Sequence, residues 1–273
     1  MSTIDLQAYA RRTGITTPLR PDLATLRSLA IAHVANIPFE NLNPFLRVPV
    51  QLDLPAIEQK LVVDHRGGYC FEQNFLFREV LREVGFDVHG LIARVLWGRD
   101  EDAITAQTHM LLRVELPEGS YLVDVGYGSM ALSGALALIP EEPQLTAHEP
   151  YRLIERDGEW RMQALVRDQW STLYRFDLQP RYDIDYVLAN HYTSTFPESH
   201  FLHTLIVTRT VPGRRHVLRN RDLGEHITGS ETRRRTLQSV QELRDALESV
   251  FGIRLPQHPE LDARLDALPY PEA

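Results

Sequence analysis

The chain has 273 residues, of which 43% are apolar and 24% charged, and its formal net charge is −8. These values are typical of a globular protein with a sizeable core, and the negative charge argues against a nucleic acid or an anionic membrane as the main partner. Its apolar stretches are far shorter than the ~20 residues of a membrane span, its N-terminus lacks a signal-peptide pattern, and its single cysteine excludes an internal disulfide. We therefore expect a cytoplasmic protein that needs no metal.

The first 85 residues are predicted to be mainly helical. Asp22 to Ala35 carries apolar residues at helical spacing. The segment Ile37 to Pro44, IPFENLNP, contains two prolines and two asparagines, so it cannot be a continuous helix. A short helix is expected from Pro55 to about Val63, and a longer one from Phe71 to Val84.

The only cysteine, Cys70, lies where that longer helix begins, in the segment RGGYCFEQNFLF. A loop at 66–69 and a helix ended by Gly85 place its sulfur in the first turn, where unpaired backbone N–H groups and the helix dipole favour a negative charge. Only the thiolate is nucleophilic, and such a position is among those that lower a cysteine pKa. The alternative is a buried cysteine that acts as a small apolar residue.

Beyond Gly85 the pattern predicts strands, then a mixture of types. The strands are Phe86 to Trp97, Thr108 to Leu116, Tyr121 to Val125, Tyr151 to Arg156, Glu159 to Val166 and Thr172 to Phe176. Asp157-Gly158 is a two-residue hairpin signal and 117–120 a four-residue turn, so an antiparallel sheet is expected. A helix at 184–190, strands at 204–211 and 216–220, and a closing helix at 237–250 follow.

This layout predicts an α+β protein in three parts. An N-terminal helical bundle in residues 1–85 would carry Cys70. A central antiparallel β-barrel would follow in residues 86–190, and a C-terminal α/β part in residues 191–273. We assign this last part as a lid, although the residues alone leave its action as a lid open.

A nucleophilic cysteine needs a base or an ion-pair partner, and that partner needs an orienting group. In the strand THMLLRVEL, His109 begins the face opposite Met110 and Leu112, at the strand's edge, although a lone strand histidine is usually structural. Asp124 lies in an otherwise apolar strand, YLVDVG, where an ionised carboxylate requires a specific partner. That partner is either a histidine ring N–H or a loop backbone N–H, and the residues alone leave both open.

The predicted hairpin gives only partial support to a contact between His109 and Asp124. If residues 117–120 form the turn, 116 pairs with 121, and the two side chains point to the same face. Asp124 then faces Arg113, roughly 13 Å from His109 at about 3.3 Å per residue. A direct contact needs another register, a bulge, or strands that are not neighbours.

Gly126-Tyr127-Gly128-Ser129 follows Asp124 directly. Glycines there would let the backbone approach a ligand closely, and successive N–H groups can cradle a phosphate. A plain strand-ending turn is the alternative, because the segment is not a G-x-G-x-x-G fingerprint and no helix pattern follows it.

Together, four segments resemble those of the arylamine N-acetyltransferases. They are IPFENL (37–42), RGGYCFEQN (66–74), TAQTHMLLRV around His109 and YLVDVGYG (121–128). The order and spacing of Cys70, His109 and Asp124 also match, and the likeness covers most of the chain, more weakly after about residue 200. The resemblance implies that Cys70 is the acetyl-accepting nucleophile, His109 its ion-pair partner and Asp124 the orienting carboxylate. It also implies a β-hairpin register different from the one above.

The resemblance further implies the reactants and the residues around them. Acetyl-coenzyme A is the expected donor, and an arylamine, arylhydroxylamine or hydrazine the acceptor, in a metal-free ping-pong reaction of xenobiotic metabolism. Gly126, Gly128 and Ser129 are expected to contact the coenzyme. An apolar acceptor pocket is expected from Phe39, Phe71, Val95, Tyr127 and Phe201, each of which is equally compatible with a core position. We expect no nucleic-acid or membrane partner, and a homodimer stays open.

Three alternatives remain. A cysteine hydrolase or transglutaminase-like enzyme also sets a helix-start cysteine against histidine and aspartate on a sheet, and it would be distinguished by release of the acyl group to water or by peptide amidase activity. An amide-forming acyltransferase of a biosynthetic pathway would take a larger acyl chain. A non-catalytic binding protein would have an unreactive Cys70.

Overall fold

Helices occupy most of the first third of the chain in a computed structural model that describes residues 3–271. They are α1 (Leu6–Thr13), α2 (Leu23–Asn36), α3 (Leu42–Phe45), α4 (Leu54–Glu58) and α5 (Cys70–Val84), with a two-residue strand, β1 (Phe39–Glu40), between α2 and α3. A π-helical turn, Gln59–Val63, continues α4. The three predicted helices are therefore present, and the IPFENLNP segment is divided between β1 and α3, as its prolines require.

A seven-stranded antiparallel sheet follows the helices. Its strands are β2 (Asp87–Val95), β3 (Gln107–Leu116), β4 (Gly119–Val123), β5 (Leu136–Ala137), β6 (Tyr151–Arg156), β7 (Glu159–Val166) and β8 (Gln169–Phe176), in the order β5-β4-β3-β2-β8-β7-β6. Isolated backbone pairs, Pro140 with Leu153 and Gln144 with Tyr151, connect the chain after β5 to β6 and nearly close the sheet into a barrel. Helices with this sheet confirm the predicted α+β class.

The two predicted hairpins differ in outcome. The Asp157-Gly158 turn is confirmed, since Arg156 pairs with Glu159 and both turn residues have positive φ, 54° and 80°. The four-residue turn at 117–120 is wrong. Leu116 pairs directly with Gly119, because a φ of 142° at this glycine lets β4 begin immediately after a two-residue turn.

The last third of the chain combines a helix, a second sheet and two short terminal helices. These are α6 (Asp183–Thr195), β9 (Ile206–Val211), β10 (Arg214–Arg219), β11 (Asp222–Ile227), β12 (Arg233–Thr236), α7 (Val240–Asp245) with a π-helical turn (Ala246–Val250), and α8 (Leu261–Asp266). The sheet order is β1-β9-β10-β11-β12. Because β1 comes from the N-terminal segment, the first and last thirds of the chain share this sheet. The division into three domains stays a prediction.

Strand β3 separates two cores because alternate side chains point to opposite faces. Met110 and Leu112 pack on the side that faces α5, whereas Leu111 points into the barrel. His109 is paired with Ala93, a residue of the barrel core. Within residues 3–271, no helix combines the length and apolar character needed to cross a bilayer.

Candidate active site

Cys70 is the first residue of α5 and is buried, and two glycines bring it to this position. A Cβ atom on Gly67 would lie 2.0 Å from the carbonyl oxygen of Pro38, so no other residue fits there. At the next position, the Gly68 carbonyl accepts a hydrogen bond from the Glu40 N–H at 3.0 Å. The two conspicuous motifs of the N-terminal segment, IPFENL and RGGYC, are therefore packed directly against each other.

Four charged side chains lie beneath this junction. Arg66 donates to a carboxylate oxygen of Glu40 at 2.6 and 2.9 Å, and Lys60 contacts Glu72 at 2.6 Å and Glu40 at 4.0 Å. Burial acts to raise the pKa of Glu40, but the charges of Arg66 and Lys60 hold it below its usual range. The two acidic side chains thus balance the positive charges of the two basic side chains. The sequence analysis did not predict this charged network.

The same network is tied to the first turn of α5. The second carboxylate oxygen of Glu72 accepts the backbone N–H of Tyr69 at 3.1 Å, which satisfies a donor at the helix start. The Tyr69 hydroxyl donates to the side chain of Asn190 in α6. The residue before Cys70 is therefore held at both its backbone and its side chain.

His109 and Asp124 form a buried pair. The His109 Nε2 lies 2.6 Å from the Asp124 Oδ2. In the actual register Leu112 pairs with Val123, so one more step would set Asp124 opposite Leu111, two residues from His109 instead of four. The side chains span the remaining distance. The other oxygen, Oδ1, accepts the backbone N–H of Gly126 at 3.0 Å, so both partners considered for Asp124 are present.

Asn74 connects this pair to the cysteine helix, a role that the sequence analysis missed. Its Nδ2 donates to the Asp124 Oδ1 at 3.1 Å and to the Met110 carbonyl at 2.7 Å, while its Oδ1 accepts the Val125 N–H at 3.3 Å. Asn74 lies four residues after Cys70 and so on the same face of α5. This four-residue spacing from Cys70 was the sequence signal that could have placed Asn74 at the site.

The electrostatics favour a charged pair. Burial opposes a charge on His109, but the Asp124 carboxylate, followed by the Cys70 thiol, raises the pKa of the imidazole to about 10. Burial acts to raise the pKa of Asp124, yet the His109 charge holds it below its usual range. At neutral pH the pair is therefore an imidazolium with a carboxylate. Because Nε2 is committed to Asp124, Nδ1 is the nitrogen available to Cys70, whose sulfur lies 3.6 Å from the Thr108 carbonyl oxygen.

Gly126 packs against the start of α5. A Cβ atom there would lie 2.6 Å from the Asn74 Nδ2, 2.8 Å from the Cys70 Cα and 3.0 Å from the Cys70 carbonyl oxygen. The absence of a side chain thus brings the Asp124 loop onto the cysteine helix.

Replacing Gly126 with alanine is expected to push the Asp124 loop away from Cys70. We expect reactions at the Cys70 sulfur to slow by about 100-fold, as for a misplacement of about 1 Å, and the free energy of unfolding to fall by about 1–3 kcal/mol. Gly224→Ala is the matched control, since a Cβ there would make only ordinary contacts, the nearest at 3.5 Å. Kinetics and urea unfolding of both variants test this, and equal effects would contradict it.

The predicted coenzyme residues lie in the turn after Asp124. Gly128 has a φ of 75°, and a Cβ atom there would lie 3.6 Å from the Phe39 ring. The Ser129 carbonyl oxygen accepts a hydrogen bond from Arg215 in β10 at 3.1 Å. That buried guanidinium also binds Glu149 at 2.6 Å, so its charge is committed to the protein.

The predicted pocket residues fall into two groups and one outlier. Tyr127 meets the edge of His109 with ring centroids 5.1 Å apart, and Val95 pairs with Tyr174, whose ring lies 5.0 Å from His109. The rings of Phe39 and Phe201 form the second group, with centroids 6.3 Å apart, and Phe39 lies beside Gly128. The outlier is Phe71, which is fully buried in the core. The assignment of all five residues to an acceptor pocket stays a prediction.

This arrangement combines a cysteine at a helix start, a charged imidazole and an orienting carboxylate, which together can perform acyl transfer through the sulfur. Among residues 3–271, no group of three or more His, Cys, Asp or Glu side chains is placed to hold a metal ion.

Comparison with known proteins gives a consistent result. A family model described as N-acetyltransferase matches residues 22–259. An arylamine N-acetyltransferase of Mycolicibacterium smegmatis is 43% identical over 256 residues, which is 92% of this chain and 93% of the relative. One of Escherichia coli K12 is 37% identical over 249 residues, 91% of this chain and 88% of the relative. The solved structure of Mycobacterium marinum arylamine N-acetyltransferase in complex with CoA matches with a TM-score of 0.93 and 39% identity, over 97% of this chain and 99% of that chain.

Proposed function

The chain belongs to the arylamine N-acetyltransferase family and is an acyltransferase, and from this premise we propose that Cys70 carries the acetyl group as a thioester between acetyl-coenzyme A and an aromatic amine, arylhydroxylamine or hydrazine. The observation that carries the proposal is the position of Cys70 at the start of α5, beside a buried His109–Asp124 pair whose imidazole is charged at neutral pH. An imidazolium beside a thiol favours the nucleophilic thiolate.

In the first half-reaction the Cys70 thiolate attacks the thioester carbonyl of acetyl-coenzyme A. Backbone N–H groups at the start of α5 can stabilise the oxyanion, since helix-start donors have no partner within the helix. As the tetrahedral intermediate collapses, the bond to the coenzyme sulfur breaks and His109 gives its proton to the leaving thiolate. The product is acetyl-Cys70 with a neutral imidazole held in place by Asp124.

In the second half-reaction the neutral imidazole acts as the base. Weakly basic aromatic amines are unprotonated at pH 7, so their nitrogen can attack the thioester as His109 accepts its proton. The bond to the Cys70 sulfur then breaks, which releases the acetylated amine and restores the ion pair. The chemistry needs no further reactant.

Binding positions are proposed from the same geometry. The turn at Gly126, Gly128 and Ser129 directly follows Asp124, which suits contact between its backbone and the coenzyme. Tyr127 and Val95 near His109, together with the aromatic pair of Phe39 and Phe201, are suited to a flat aromatic acceptor. The solved relative in complex with CoA supports this choice of donor.

Intact mass spectrometry tests the proposal. After mixing with acetyl-coenzyme A, the wild-type protein is expected to gain one acetyl group and to lose it when an aromatic amine is added, whereas Cys70→Ala gains none. Free coenzyme A should appear in the first step. If wild type loses the acetyl group to water as fast as to amine, the hydrolase alternative is correct. If it gains no mass while Cys70 is still alkylated rapidly at pH 6, the donor is a different acyl thioester.

A further inference from the structure

Three buried polar side chains connect the N-terminal helices to the helix that carries Cys70. The Tyr9 hydroxyl in α1 lies 3.0 Å from the Nδ1 of His33 in α2, and the His33 Nε2 lies 2.6 Å from the Oε1 of Gln73 in α5. All three side chains are fully buried. The acyl-transfer steps use none of them, so their burial at this position calls for another explanation.

The hydrogen bonds of this group have one direction. The Gln73 amide nitrogen donates to the carbonyl of Pro38 at 2.7 Å and to that of Gly68 at 3.2 Å, and the amide oxygen faces His33. Because an amide oxygen only accepts, the His33 Nε2 carries a proton. Burial lowers the pKa of His33 to about 4, so the ring is neutral at pH 7 and its Nδ1 accepts from the Tyr9 hydroxyl. Every donor therefore points towards the two carbonyl groups.

These two carbonyl groups belong to the segments that meet beside the nucleophile. Pro38 directly precedes Phe39 of β1, and Gly68 lies two residues before Cys70. The Gly68 N–H also donates to the Pro38 carbonyl at 3.3 Å, and Gly68 forms a backbone bridge with Phe39. One amide group, that of Gln73, therefore binds both segments and sets the position of the Phe39 ring relative to the cysteine helix.

We propose that Gln73, with its amide group oriented by His33, is a positioning residue that holds the Phe39 ring in place for the aromatic acceptor. The inference rests on the proposed function, in which Phe39 belongs to the acceptor pocket. His33 acts through Gln73, since a proton on its Nε2 prevents the amide group from reversing. A reversed amide group would set its oxygen against two carbonyl oxygens, which is unfavourable in a buried site.

Loss of the Gln73 amide group is expected to displace β1 rather than Cys70. Strand β1 has only 2 residues, whereas α5 has 15 and most of its side chains are buried. The first turn of α5 is also held without Gln73, because Asn74 donates to the Cys70 carbonyl at 3.2 Å and Gly126 packs directly on the Cys70 backbone. The sulfur should therefore keep its reactivity while the Phe39 ring shifts.

The test compares two acceptors on the acetyl-enzyme of the full chain. In Gln73→Leu, which removes the amide group but keeps a side chain of similar size, discharge of acetyl-Cys70 by dilute aniline is expected to slow by about ten-fold or more. Hydrazine has no ring to place and should discharge acetyl-Cys70 at close to the wild-type rate. Alkylation of Cys70 by iodoacetamide at pH 6 should also keep its wild-type rate. A loss of stability alone would not change the ratio of the aniline and hydrazine rates.

Substitutions of His33 separate orientation of the amide group from packing. His33→Gln sets an amide nitrogen near the position of Nε2, so it can still donate to Gln73 and should keep the wild-type ratio of the two rates. His33→Leu has no donor and should lower the ratio, as Gln73→Leu does. Gln144→Leu is the matched control and should keep the ratio, because Gln144 likewise binds backbone, the N–H and carbonyl of Ala137 in β5, at 2.7 and 2.8 Å.

The outcomes distinguish this inference from the proposed function. If wild type forms the acetyl-enzyme but Gln73→Leu and His33→Leu keep the wild-type ratio of aniline to hydrazine rates, the inference is overturned. If Gln73→Leu does not fold, the two His33 variants provide the same comparison, and equal ratios in both overturn it. A wild type that forms no acetyl-enzyme contradicts the proposed function, and this inference with it, before any variant is compared.

Discussion

Asp124→Asn is expected to lower kcat/KM for acetyl transfer by up to about 10⁴-fold, the size of the effect on kcat when an orienting aspartate is made an asparagine in a serine-protease triad. The reason lies in the donors around the carboxylate. Its Oδ1 accepts from both the Gly126 N–H and the Asn74 Nδ2, so the NH₂ group of an asparagine cannot occupy that position. The NH₂ group must instead face His109.

That orientation selects the wrong tautomer of the histidine. An NH₂ group directed at Nε2 requires Nε2 to be an acceptor, which moves the proton of the neutral ring to Nδ1. Nδ1, the nitrogen available to Cys70, then cannot act as a base. The charge that raises the pKa of His109 is also lost, and burial alone lowers it. The imidazolium therefore disappears at a lower pH in the variant.

Two measurements distinguish this account from general damage to the fold. Alkylation of Cys70 by iodoacetamide at pH 6, where an unperturbed thiol is mostly protonated, should be at least about ten-fold slower in Asp124→Asn, and the difference should shrink towards pH 9. Asp102→Asn, at a carboxylate that is 89% exposed, is the control and should change neither rate. If Asp124→Asn is alkylated and turns over at the wild-type rates, Asp124 does not orient His109.

The elements around this site differ in how far the sequence could predict them. The helix that begins at Cys70 and the Asp157-Gly158 hairpin depend on local signals, apolar periodicity and a turn dipeptide, and both were correct. The β3–β4 register was wrong by two residues, because Pro117-Glu118-Gly119-Ser120 is compatible with either a two- or a four-residue turn. The conformation of Gly119 decides between them.

Long-range contacts explain what the sequence analysis missed at the site. Asn74 and Gly126 touch only after α5 has packed on the barrel. The spacing from Cys70 places Asn74 on the site face of α5, but no local pattern indicates that its partners are Gly126 and Asp124. Strand β12 was missed because Arg233, Arg234 and Arg235 lack strand periodicity, and they form an edge strand through pairing with β11. The resemblance of motifs could indicate that these segments matter, but not which atoms they contact.

Glu40→Gln is expected to lower the free energy of unfolding by about 3–5 kcal/mol, the usual effect of removing one partner from a buried ion pair. Lys60 would keep Glu72, but Arg66, whose other side-chain acceptor is Asn43, would lose its carboxylate and remain as a buried, uncompensated positive charge. Hydrogen bonding adds to the loss. Glu40 accepts from Arg66 with one oxygen and from the Leu42 N–H, at 2.6 Å, with the other, so a glutamine must set its NH₂ group against a donor.

Charge balance also predicts a partial rescue. In Glu40→Gln with Arg66→Met, the remaining Lys60–Glu72 pair is balanced, so the double variant should lose less stability than the two single effects added together. Asp262→Asn, which removes an exposed ion pair with Arg244, is the control and should cost about 1 kcal/mol or less. Urea unfolding of the four variants and the wild type measures these terms. Because the network holds the loop that precedes Cys70, the rate of acetyl-enzyme formation should decline in parallel with the loss of stability. A Glu40→Gln protein as stable as Asp262→Asn would refute the argument.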